Sequence, residues 1–190
     1  SYAGTTYTLP APFFVLATQN PIEQAGTYPL PEAQLDRFLL HVRVDYPSEA
    51  EERDILAQTT GSHSGMVPKV MDAEAVLALQ AAVREVHIGA DLLTWITRLV
   101  RASRPGNGAP AEVNNWIKWG AGPRAGQSLV LASKARALLH GRFAATREDV
   151  QALAAPVMRH RLLLSFAAEA EQKSADDVIA TLLRTVPFPA

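Results

Sequence analysis

The sequence predicts a mainly α protein whose first part carries strands. Two observations support this expectation. Three apolar runs within residues 1 to about 45 are short, rich in aromatic and β-branched residues, and bounded by prolines and other turn formers, which is how strands read. From Ser48 onward the apolar residues recur at helical spacing, broken by polar turns containing Gly and Pro.

The predicted strands are Thr5 to Leu9, Phe13 to Ala17, and Phe38 to Val44, the last ending at Asp45-Tyr46-Pro47. Ser48 with Glu51 three residues later makes a capping box, in which each side chain satisfies a backbone N–H of the other, and it opens a helix to about Gln58. Gly61 to Gly65 reads as a linker. The expected division is therefore a head over residues 1–60 and a helical part over 61–190. In the latter, Asp72 caps a helix through about Val86, and Asp91 begins another that ends near the Arg104-Pro105-Gly106-Asn107-Gly108 turn. Pro110 to Trp119 suggests a short helix, with Trp116 and Trp119 on one face packing into the core. Pro123 suits a first helical turn and starts a long helix to His140, closed by Gly141. Thr146 with Asp149 and Ser174 with Asp177 cap the last two helices, and the final one stops before Pro187. Lys134 and Arg136 read as solvated, and Arg159-His160-Arg161 as cations that suit a helix C-terminus.

Composition excludes several classes. The formal net charge of -1, with both signs interspersed, offers no basic stripe for a phosphate backbone, so nucleic acid is not an expected partner. No run reaches the roughly 18 apolar residues of a membrane span, and the first residues lack a basic segment followed by an apolar one, so neither an anchor nor an export signal is expected. The absence of cysteine rules out a disulfide framework and thiolate chemistry and agrees with a cytoplasmic location. The histidines show no metal-ligand spacing, so no metal is assigned to them.

Three polar residues ask for an anion. Asn20 follows the Phe13 to Ala17 run directly, with Pro21 stiffening the exit; an amide just beyond a strand can meet a phosphate or a reacting water, although Asn-Pro also simply starts turns. Arg37 stands at the entrance to the next apolar run with Asp36 beside it to orient its guanidinium; the plainer alternative is a surface Asp-Arg pair. Arg124 follows Pro123 in the first turn of a helix, where the macrodipole disfavours a cation by about 0.3–1 kcal/mol. That placement is explained if free N–H groups and the guanidinium share an anion, or if Arg124 reaches back to a carboxylate.

The stretches "FFVLATQNPIEQAGTYPLPEAQLDRFLLHVRVDYPS", "WGAGPRAGQSLVLASKARALLHGR" and "PVMRHRLLLS", in this order, resemble the second half of a MoxR-type AAA+ ATPase, from about Thr6 to the end. The resemblance implies a remnant of the AAA+ α/β core followed by an all-α lid. It makes Asn20 the sensor-1 residue near the γ-phosphate, Arg37 an arginine finger reaching a neighbouring subunit's nucleotide, and Arg124 the sensor-2 arginine of the lid. It further implies ATP and Mg²⁺ as cofactors, a hexameric homo-oligomeric ring, and von Willebrand factor A domain proteins as partners in chaperone-like maturation of protein complexes. The chain departs from that pattern in one respect: it has no G-x-x-x-x-G-K-[ST] loop and no acidic pair after a strand. Those segments are expected upstream of Ser1, so the chain alone should not hydrolyse ATP. The strand that separates the Asn20 and Phe38 to Val44 strands in that family's sheet is also missing, so the head is expected to be disordered, rearranged or paired with another copy. The alternatives are a non-catalytic helical interaction module with relic motifs and a magnesium-chelatase-like subunit. The client complex is not legible in these residues.

Overall fold

A computed structural model describes residues 4–19, 30–61, 67–106 and 108–189. In chain order the described elements are α1 (Glu32–Leu35), α2 (Glu49–Thr59), α3 (Ala73–Glu85), α4 (Ala90–Ala102), α5 (Ala111–Trp116), β1 (Ile117–Trp119), α6 (Pro123–Leu139), α7 (Arg147–Met158), a 3-10 turn (Arg159–Arg161), β2 (Leu163–Leu164), α8 (Phe166–Ala170) and α9 (Ala175–Thr185). The chain is mainly helical, as expected. It forms two compact units, Ser1–Phe14 with Val42–Leu79, and Val15–His41 with Gln80–Ala190.

The first unit contains α2, whose start follows the sequence closely: the Glu51 carboxylate accepts from the Ser48 N–H at 2.8 Å while the Ser48 hydroxyl accepts from the Glu51 N–H. No residue of α2 is buried. None of the three expected strands forms. Phe14 and Leu16 are 77% and 83% exposed, and Tyr7, Leu9, Val42 and Val44 are exposed as well. The physical reason is that an extended segment becomes a strand only by pairing its backbone, and the described residues supply no partner strand for these runs. The only sheet among the described residues is the antiparallel pair of β1 and β2.

The second unit holds the core, formed by α4, α6, α7 and α9. On α4, Leu92, Trp95, Ile96, Leu99 and Val100 are buried at helical spacing, and Val178, Ile179 and Leu182 do the same on α9. Trp95 is fully buried, and its indole N–H donates to the Val186 carbonyl at 3.1 Å, which ties the segment after α9 to α4. The buried face of α6 is made of small residues, Ala125, Ser128, Ala132 and Ser133 around Leu129, so neighbouring helices approach closely. Gly141 ends α6 with φ +69°; the Arg142 and Gly141 N–H groups return to the Ala137 and Leu138 carbonyls, both at 2.9 Å, a pattern that needs a left-handed residue and so favours glycine.

Several expectations are corrected here. Trp119 is not core: the chain leaves the helical conformation after Trp116 because Ile117 to Trp119 pairs with Leu163 and Leu164, so the two tryptophans do not share a helix face. Trp116 packs against the core and donates to a Glu171 carboxylate oxygen at 2.7 Å, whereas Trp119 is 66% exposed. Lys134 donates to the Arg84 carbonyl at 2.8 Å, closing the C-terminal end of α3, and Arg136 pairs with the buried Asp149. Neither is merely solvated.

Candidate functional site

The site is built on the turn between β1 and α6. At Gly120 an added Cβ would lie 2.3 Å from the Ser103 carbonyl oxygen and 2.6 Å from the Arg104 Cα, so only glycine lets this turn pass so close to the end of α4. Ala121 is clamped on both sides, its N–H donating to the Ser103 hydroxyl at 3.0 Å and its carbonyl accepting from Arg104 Nε at 2.9 Å. Gly122 is the N-cap of α6 and offers no side-chain acceptor, and Pro123 occupies the first turn. The clamp thus fixes where α6 begins and where Arg124 stands.

Arg124 is placed as expected, in an acid-free first turn of α6. Its Nη1 donates to Asp36 Oδ2 at 2.8 Å, and its side chain remains 48% exposed. One carboxylate oxygen takes one of the five guanidinium N–H donors, which leaves others available. Asp36 caps the end of α1, and its other oxygen accepts from Arg161 Nε at 2.9 Å. Asp36 therefore serves Arg124 and Arg161, not the adjacent Arg37 that it was expected to orient. Arg37 is exposed, and among the described residues its side chain has no hydrogen-bond partner. Asn20 lies outside the described residues.

Arg161, read from the sequence as a dipole-complementing cation, organises this region. Its side chain is 1% exposed. Besides Asp36 Oδ1 it donates to the Asp36 carbonyl at 3.0 Å, the Phe38 carbonyl at 2.6 Å, the Ser128 hydroxyl at 3.2 Å, the Leu39 carbonyl at 3.4 Å and the Val157 carbonyl. Burial pulls its pKa down, opposed by hydrogen bonding and attraction to Asp36, and a guanidinium remains charged under such a load. The residues around it follow suit. Arg159 Nη1 donates to the His41 carbonyl at 3.1 Å, and the His41 N–H donates at 2.8 Å to the carbonyl of Pro156, an acceptor left over in the last turn of α7. His160 Nε2 lies 3.1 Å from the Phe38 carbonyl. Desolvation first, then the Arg161 charge, push the His160 pKa down to about 4. A signal for Arg161 existed in the sequence: it stands in "PVMRHRLLLS", an apolar run without a carboxylate, so a buried arginine there must find its acceptors elsewhere in the chain.

Beside this cluster a pocket of about 360 Å³ is lined by Glu32, Asp36, Trp119, Gly120, Gly122 and His160, among others. Backbone N–H groups at an uncapped helix start, next to an arginine with spare donors, can hold an anion. Among the described residues no group of three or more His, Asp or Glu is gathered for a metal ion, and no helix is long and apolar enough to cross a membrane.

Comparison with known proteins shows the family of the chain. The family described as ATPase family associated with various cellular activities (AAA) matches residues 1–40, and the AAA lid domain matches residues 111–182. The chain is 38% identical over 190 residues to Chaperone MoxR1 of Mycobacterium tuberculosis (strain ATCC 25618 / H37Rv), covering 100% of this chain and 50% of that protein. It is 34% identical over 189 residues to Protein MoxR of Paracoccus denitrificans, covering 93% of this chain and 56% of that one. A crystal structure of a candidate ATPase from Cytophaga hutchinsonii ATCC 33406 superposes with a TM-score of 0.91 at 36% identity, over 100% of this chain and 58% of that chain. The chain spans about half the length of the curated relatives it matches. With the core and lid families matched in order along one chain, and relatives named MoxR aligned along nearly all of it, the chain belongs to the MoxR family of AAA+ ATPases.

Proposed function

We propose that the chain is the sensor and lid part of a longer, ring-forming ATPase of the cytoplasm that couples ATP binding and hydrolysis to chaperone-like maturation of protein complexes. The observation that carries the nucleotide reading is Arg124, held in the uncapped, acid-free first turn of α6 with spare donors at a glycine-lined turn. The Arg124 guanidinium fits a phosphate: it is cationic, has N–H donors left over beside the one given to Asp36, and follows a turn in which Gly120 and Gly122 place no side chain. Bound ATP supplies the γ-phosphoryl group, with Mg²⁺ neutralising its oxygens. On this reading Arg124 binds phosphate oxygens from the lid, Asn20 orients the attacking water, and the exposed Arg37 stabilises charge at the nucleotide of the adjacent subunit, since phosphoryl transfer is catalysed mainly by positioning and electrostatics. The loop that cradles phosphates and the Mg²⁺ carboxylates belong to a part of the longer protein outside these 190 residues, and the chain alone turns over no ATP. Identical subunits in a hexameric ring and von Willebrand factor A domain proteins are the partners that family membership suggests.

The test is ATP turnover by the full-length protein. Arg37→Ala should keep ATP affinity within about twofold while abolishing turnover, and mixing it with a P-loop-disabled copy should restore part of the rate. No turnover by the wild-type full-length protein overturns the reading. Intact mixed rings without any rescue overturn the assignment of Arg37 to a neighbour's site.

A further inference from the structure

We propose that Asp36 is an internal competitor for Arg124: its carboxylate holds the guanidinium that binds phosphate, so nucleotide must displace Asp36 to engage the lid. The inference rests on the reading of Arg124 as a phosphate ligand. Three observations carry it. Asp36 divides its two oxygens between two arginines, Oδ2 to Arg124 at 2.8 Å and Oδ1 to Arg161 at 2.9 Å. The two partners differ in freedom: the Arg161 side chain is 1% exposed and every one of its nitrogens is engaged, whereas the Arg124 side chain is 48% exposed with Asp36 as its one acceptor among the described residues. Arg161 therefore stays and Arg124 can leave.

The third observation concerns what is left behind. Asp36 immediately precedes Arg37, and the chain that follows is strung along Arg161, His160 and Arg159 through the Phe38, Leu39 and His41 carbonyls. When a phosphate takes Arg124, Asp36 loses one of its two cations and remains tethered by Arg161 alone. Engagement of the lid arginine is thereby felt at the residue next to Arg37. Asp36 is in this sense a positioning residue, acting on nucleotide through Arg124 and on Arg37 through the backbone.

The substitution that separates these contacts is Asp36→Asn. Its amide oxygen can still accept from Arg161 Nε, while an NH₂ group replaces the acceptor that faces Arg124. In the full-length protein, ATP affinity measured by calorimetry should become about two- to fivefold tighter, the range set by an exposed ion pair. Arg124→Ala should weaken ATP binding, and Asp36→Asn should bring no gain in that background. Asp36→Ser, which also removes the carboxylate, is the second variant and should tighten binding in the same way even if the Asn protein melts early. Unchanged or weaker ATP binding in both Asp36 variants, with Arg124→Ala still weakening it, overturns the competition and leaves the reading of Arg124 standing. An Arg124→Ala protein with wild-type affinity overturns both.

Discussion

His160 donates through Nε2 to the Phe38 carbonyl, which fixes its tautomer, because a carbonyl only accepts. Its Nδ1 is buried without a hydrogen-bond partner among the described residues, so a proton there would sit next to the Arg161 guanidinium with nothing to receive it. The neutral ring is therefore the folded form, with a pKa pushed from 6.5 down to about 4. The sign follows from linkage: between these two values the unfolded chain binds a proton that the folded chain refuses, so stability is full above about 6.5 and falls as the pH drops toward 4. Allowing for partial exposure, the loss should be about 2 kcal/mol. Melting temperatures of the wild type and His160→Gln, compared across that window, check this: the wild type should lose more than the variant on acidification, and parallel curves would contradict it.

The elements of the core are tied together by a carboxylate in the same way. Asp149, in the first turn of α7, is fully buried; it accepts from Arg136 Nη1 at 2.5 Å, from Arg142 Nη1 and Nη2 at 2.7 and 2.6 Å, and from the Thr146 N–H at 2.8 Å. One side chain thus caps α7 and binds it to the end of α6 and the turn beyond. The hydrogen bonds from Arg142 hold the Asp149 carboxyl well below the usual carboxylate range, against burial, which acts to raise it. The contribution is present above the ordinary aspartate value of 3.8 and is lost in strong acid. Removing the carboxylate leaves two arginines without their acceptor and an uncapped helix, so Asp149→Ala should cost about 3–5 kcal/mol. Urea unfolding followed by helical circular dichroism measures this, and a loss below about 1 kcal/mol would show that the arginines find water at no cost.

For the molecule as a whole, stability is unevenly distributed. The buried faces of α4, α6, α7 and α9 lie in one unit, whereas Phe13 to Ala17 has no ladder and α2 buries nothing. Hydrogen exchange of the 190-residue chain should therefore protect the amides of Trp95 to Val100 and Ala154 to Met158 and leave those of Phe13 to Ala17 nearly unprotected. Slow exchange across Phe13 to Ala17 would mean that this run has found a strand partner in solution.

The features legible in the chain alone are local. Capping boxes at Ser48, Thr146 and Ser174, the glycine end at Gly141 and proline at the start of α6 all act within a few residues, so these particular helix ends were legible, and so was Arg124 as a cation in an unfavourable turn. Motif order was legible for the same reason, since it is a property of the chain alone. Tertiary structure decided the rest. Whether Phe13 to Ala17 forms a strand depends on a partner that periodicity does not name. Whether Ile117 to Trp119 is helix or strand depends on Leu163 and Leu164, more than forty residues away. The partners of Asp36 are separated from it by 88 and 125 residues, so proximity along the chain favoured Arg37, while burial gave the carboxylate to Arg161 and geometry gave its free oxygen to Arg124.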